Sequence, residues 1–247
     1  CHEPAAFAAA LLNSQPMGFY APAQLVQDAR RHGVEVLPVD ATASEWNCTL
    51  EDDALRLGMR MVKGLSQAGA ERLVAARASA PFESVEDLAL RARLDRRDLD
   101  HLARSGALEP LAGHRRQAAW SVAGVERLPG LLADARFVEA TPALAAPSEG
   151  ETVVADYAAL GLTLGRHPLA LLRPRLAGMK LASAEQIRTL RHGSAARAAG
   201  IVIGRQRPDT ASGVMFVTLE DETGCVNVIV WRDLQERQRR EVLGARL

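Results

Sequence analysis

At 247 residues, 48% hydrophobic, 24% charged and 4% aromatic, the chain has the composition of a soluble globular protein with room for more than one core. No apolar run approaches the ~18 residues of a membrane span and no leader with a basic start and apolar middle opens it, while Cys1, Cys48 and Cys225 are too few and too far apart for a disulfide scaffold or a zinc site, so a cytoplasmic protein with no membrane partner is expected. The 30 Lys and Arg cancel the 30 Asp and Glu, yet residues 1–60 carry 4 basic and 8 acidic side chains whereas residues 166–207 carry 9 and 1, which points to an anionic partner there or to a solvated run.

In chain order, Ala5 to Asn13 reads as a helix, Pro16 to Tyr20 as a turn, and Pro22 to His32 as a second helix closed by Gly33. The apolar run Val34 to Val39 reads as a strand, and Asp40 to Leu50, without a clear period, as a short extended pair. Residues 51 to about 125 read as all-helical. Ala54, Leu57 and Met61 fall at helical spacing, as do Ala70, Leu73, Val74 and Arg77, with Lys63-Gly64-Leu65-Ser66-Gln67 between the two sets. Ser84 is placed to cap a helix running to Ala92, Asp95 opens another that ends at Ser105-Gly106, and Ala118 to Val122 belongs to a further one: a second, looser hairpin. Pro129, Pro142 and Pro147 mark a linker over 128–155. Asp156 to Leu172 reads as helix, a Gly161/Gly165 break and a helix led by His167-Pro168. From Ala198 the period becomes two: Gly200 to Gln206, Val214 to Leu219 and Val226 to Trp231 are strand-like, Glu220 to Gly224 is the last hairpin turn, and Asp233 to Leu243 is helical.

The chemistry rests on the turn at Lys63. Gly64 can take the positive φ that ends one helix, leaving the amides of Leu65, Ser66 and Gln67 at the mouth of the next, where unpaired N–H groups and the helix dipole favour an anion and Lys63 adds a charge. The plain alternative is a helical hairpin closed by a C-cap glycine. The pattern resembles the helix-hairpin-helix DNA-binding motif, with Ser66 where a second glycine is usual. Asp52-Asp53 and Glu220-Asp221-Glu222 sit in turns rather than as a metal-holding cluster, the 6 histidines have no ligand spacing, and no phosphate-loop or hydrolase signature occurs, so neither a catalytic centre nor a metal site is expected.

The basic stretch Arg166 to Arg207 leads into the strands, which fit an OB-type barrel that ends before its last two strands. Arg205 and Arg207 fall in its first loop, and Phe216 and Trp231 are candidate stackers for single-stranded bases, with core packing the favoured reading for at least one of them.

The stretch Cys1 to Tyr20, above all Asn13-Ser14-Gln15-Pro16-Met17-Gly18-Phe19-Tyr20, with Asp28 to Val34 and Val39-Asp40, resembles the end of the fingers region of bacterial C-family DNA polymerases, in their error-prone DnaE-type (ImuC-type) branch. Leu160 to Leu169 is similar to that family's link into its OB domain. The resemblance implies an α+β multidomain order: fingers end (1–50), tandem helix-hairpin-helix (51–127), linker (128–155), helical connector with the basic block (156–196) and partial OB-fold (197–247). Bacterial DNA ligase and the Holliday-junction-binding protein use the same modules with the OB-fold first. It further implies a parent DNA-directed DNA polymerase of damage-induced mutagenesis and translesion synthesis, whose Mg2+-binding carboxylates lie upstream of Cys1, leaving no cofactor in this chain. The partners implied are primed and single-stranded DNA, mutasome accessory proteins and, indirectly, the sliding clamp, because Leu131 to Phe137 lacks the glutamine of a clamp-binding peptide. The alternative is a module that recruits mutasome proteins and touches DNA only marginally.

Overall fold

The computed structural model describes residues 2–18, 20–125, 142–208 and 213–247, in two compact units, 1–164 and 165–247. The segment Leu131 to Phe137 lies outside the described residues.

In the first unit, α1 (Pro4–Asn13) and α2 (Pro22–Arg31) both begin on proline, whose missing N–H costs nothing at a first helical position. Their apolar faces bury Leu12 and Val26, and Gly33 turns the chain out at φ +83°. A small sheet follows. The predicted strand is confined to β1 (Val36–Leu37), which runs parallel to β3 (Ala54–Arg56), while β2 (Thr49–Glu51) lies antiparallel on the other side of β3.

The helix expected from Ala54, Leu57 and Met61 does not form. Ala54, Leu55, Leu57, Met59, Met61 and Val62 are all buried, so nearly the whole stretch lies in the core rather than one helical face of it, and Ala54–Arg56 is taken up as the central strand of the sheet. Asp52, at φ +53°, makes the reverse turn between β2 and β3. The first arm of the hairpin is therefore one 3-10 turn, Met59–Met61.

The helices that follow start on side-chain caps. Ser66 opens α3 (Gln67–Ser79), Ser84 opens α4 (Val85–Arg91), Asp95 opens α5 (Arg96–Ser105), and, after the short α6 (Glu109–Ala112), His114 opens α7 (Arg115–Ala123). Each cap accepts a backbone N–H three residues on, supplying a partner to a donor the helix cannot satisfy. Leu73, Leu88, Leu94, Leu102 and Leu108 join Leu12, Leu55 and Leu57 in one core; each buried leucine contributes about 1.5–3 kcal/mol. Ser148 and Glu151 form a capping box that starts α8 (Glu149–Ala159) within the stretch read as a linker.

The second unit opens with α9 (Pro168–Gly178), capped by His167 as its sequence foretold, and α10 (Ala184–Arg188). Next comes an antiparallel meander of β4 (Ile201–Gln206), β5 (Met215–Asp221) and β6 (Gly224–Val230). No closed barrel is present among the described residues, so the OB-type expectation reduces to this three-stranded sheet. Its inner face, with Met215, Val217 and Val230, is covered by Leu234 and Val242. Those residues lie on α11 (Arg232–Arg237) and α12 (Arg239–Gly244), where one continuous helix was expected and the chain breaks at Gln238.

Candidate nucleic-acid interface

The hairpin turn is built from three side chains around Gly64. The glycine holds φ +83°, and a Cβ there would stand 2.6 Å from the His101 ring on α5, so both conformation and space demand glycine. One helical turn earlier, Asp98 is 2% exposed and faces Ser66: its carboxylate accepts the Ser66 amide at 2.9 Å and the Ser66 hydroxyl at 2.6 Å, while Ser66 Oγ accepts the Gly69 amide at 3.0 Å. The serine that replaces the usual glycine is thus the N-cap of α3. Gly69 is closed in by Asp98 and Ser66.

This wiring redistributes the donors expected to meet a phosphate. The Ser66 amide is consumed by Asp98, and the Leu65 amide turns back to Val62 O at 3.3 Å. Among the described residues the amides of Gly64, Gln67 and Ala68 keep no partner within the protein. The last two are at the N-terminus of α3, aligned with its dipole.

Lys63 lies elsewhere. Its Nζ donates to Tyr157 O at 2.9 Å and Ala158 O at 3.3 Å, and its backbone amide to Ala159 O at 2.9 Å, so the lysine caps the C-terminal carbonyls of α8. Gly161, at φ +80°, leaves room for the lysine stem, which a Cβ would approach to 3.3 Å.

In the second unit the predicted residues divide by face. Arg205 donates to Val242 O at 2.8 Å and to Ala245 O, capping α12 on the inner side. Arg207 is exposed and has no partner among the described residues. Phe216 is half-buried on the outer face, paired across the ladder with Gln206 and with Ile229, which is 50% exposed; Trp231, just past β6, is 66% exposed. Part of the basic stretch is already neutralised: Arg173 Nη2 donates to Asp221 at 3.0 Å and, together with Nε, to both carboxylate oxygens of Glu222. That contact keeps the Glu222 carboxyl below its usual range.

Sequence reasoning missed Asp98 and His101. The signal for Asp98 was its place beside Leu99 and Leu102, a carboxylate on the apolar side of an amphipathic helix, which needs a partner there. Among the described residues no three His, Cys, Asp or Glu side chains converge as metal ligands, and no helix is long and apolar enough to cross a membrane.

A helix-hairpin-helix motif matches residues 33–118, the span that contains the turn and all of α3 to α6. The error-prone DNA polymerase of Azoarcus sp. is 60% identical over 256 aligned positions, covering 100% of this chain and 24% of the relative. This chain is homologous over its whole length to error-prone DNA polymerases. Those of Ralstonia nicotianae and Alkalilimnicola ehrlichii are 59% and 57% identical, again over 100% of this chain and 24% and 25% of the relatives. The match falls in the C-terminal part of these error-prone polymerases, and the chain spans about a quarter of the length of the curated relatives it matches.

Proposed function

We propose that this chain is the DNA-handling part of an error-prone DNA-directed DNA polymerase, in which the turn Lys63 to Gln67 holds the duplex backbone. The observation that carries the reading is the pair of unpartnered amides at Gln67 and Ala68, presented at the N-terminus of α3 with that of Gly64 in the turn before it, inside the stretch that matches the helix-hairpin-helix motif. Such contacts position a backbone and carry no sequence information. The outer face of the second unit's sheet, with Phe216, Ile229 and Trp231, serves the single-stranded template by stacking, and the exposed Arg207 just past β4 adds charge. The parent enzyme would extend primers across lesions in damage-induced mutagenesis, meeting accessory proteins and, through them, the sliding clamp. Its catalytic magnesium finds no fitting cluster among the described residues, and no step of nucleotide transfer is assigned to this chain.

Gln67→Pro tests the grip. Position 67 is the first residue of α3, and Ser66 before it is already extended at φ −79° and ψ 137°, so proline fits the backbone while deleting one phosphate-facing N–H. Fluorescence anisotropy on primed and single-stranded DNA at two salt concentrations should show weaker duplex binding by about tenfold, the worth of one charge-assisted hydrogen bond, with an unchanged melting temperature. Equal affinities of variant and parent would remove the hairpin from the interface. A second reading, recruitment of accessory proteins, is favoured by the exposed Ile229 and Trp231, and absence of DNA binding at low salt would leave it standing.

A further inference from the structure

We infer that α5 carries a second line of contacts to duplex DNA, with Arg97 and Arg104 taking backbone phosphates on either side of the hairpin turn; the inference rests on the hairpin reading above. The geometry fixes the face. His101 abuts Gly64, and Arg97 and Arg104 stand four residues before it and three after it, on the same side of the helix. The span from Arg97 to Arg104 is about 10 Å along the axis at ~1.5 Å per residue. That is long enough to face more than one phosphate of a strand, spaced ~3.4 Å along a duplex.

Both arginines are exposed and without a partner among the described residues, in a unit where arginines are routinely used internally. Arg77 binds Glu45 and two carbonyls, Arg91 binds Asp87, and Arg96 binds Asp100 and Val122 O. The acids of α5 offer Arg97 and Arg104 nothing, since Asp98 is committed to Ser66 and Asp100 to Arg96. Arg97 is also in the first turn of its helix, where the dipole disfavours a cation, and no internal contact offsets that placement. An external anion does. The cation that sequence reasoning assigned to Lys63, now occupied on α8, is supplied from α5 instead. The helix carries no Phe, Tyr or Trp for base stacking, so its ligand is the backbone of a duplex rather than a single strand.

The test is the salt dependence of duplex binding by the full chain, measured for wild type, Arg97→Gln, Arg104→Gln, Gln67→Pro and Arg30→Gln, the last an exposed arginine of α2 that also lacks a partner. Each α5 variant should lower the slope of log affinity against log salt by about 0.9 and weaken binding equally across sequences, with unchanged melting temperature, while Arg30→Gln leaves the slope alone. If Gln67→Pro weakens binding but both α5 slopes match wild type, the α5 assignment falls and the hairpin reading survives. A slope drop in Arg30→Gln equal to that in Arg97→Gln also overturns it, as diffuse charge. Wild-type chain that does not bind duplex at low salt overturns both.

Discussion

Replacing Asp98 by alanine should be the most damaging single polar change in the hairpin. The carboxylate accepts two donors of Ser66, at 2.9 Å and 2.6 Å, from a site 2% exposed. Hydrogen bonds to a charged acceptor are worth about 1.5–3 kcal/mol each, and because Ser66 is at the surface and regains water, the lower end applies, for a loss of about 3 kcal/mol. In a unit of this size that corresponds to a fall in melting temperature of about 6–12 °C. Asp98→Asn is the control. Its carbonyl can still accept the Ser66 amide, but its NH2 cannot accept from the Ser66 hydroxyl as the carboxylate does, so it should cost about half as much. Urea denaturation gives the stabilities, and amide hydrogen exchange at Ser66 and Gly69 reports the turn directly. Alanine within about 0.5 kcal/mol of wild type, or asparagine as costly as alanine, would refute the reasoning.

Gly64→Ala should cost about 1–2 kcal/mol for the left-handed backbone alone, with more for displacing His101; Gly64→Ala with His101→Ala should recover the steric part in the same denaturation assay. Arg173→Met should destabilise the second unit by about 3–5 kcal/mol, because it strands Asp221 and Glu222 without their cation, and thermal melting followed through Trp231 would show it. That unit should also lose stability in acid. Burial holds His167 below its ordinary value against the pull of Glu220, Glu222 and Asp221, so as pH falls through about 6.5 the unfolded chain takes the proton first and stability present above that pH declines. The carboxylates extend the loss downward: burial raises Asp221, but hydrogen bonds from Thr223 and Ala184 outweigh it, and Arg173 lowers Glu222, so their contribution fades below the ordinary 3.8 and 4.5 as the folded carboxyls protonate. A pH titration of melting temperature that stays flat from neutrality to pH 4 would contradict this.

Much of this organisation is written in short local signals. Ser84, Asp95 and the His167-Pro168 pair announce their helices because a cap acts over three or four residues, and the segment from Asn13 to Tyr20 is specific enough to indicate the family that the whole-chain matches then bear out. The period of Ala54, Leu57 and Met61 misled because Leu55, Met59 and Val62 are apolar and buried as well, so a helical spacing can be picked out of a stretch that the core takes in almost whole. The positions of Lys63 and Arg205 were illegible for a different reason. Their partners are carbonyls 94 and 37 residues away, and backbone oxygens leave no mark in a sequence. Asp98 is intermediate, a carboxylate on an apolar stripe that signals a buried partner without naming Ser66.

The lysine at the end of α8 has a temporal consequence. Its bond to Tyr157 closes a loop of 94 residues, so the turn beside Gly64 acquires its final fastening only after that much further chain has been synthesised and α8 has wound. Long closures cost more chain entropy than short ones, so this contact adds to a turn that Asp98 and Ser66 have already set. The order of translation thus sets when the lysine can fasten this turn: only after α3 to α7, which precede α8 in the chain, have been made.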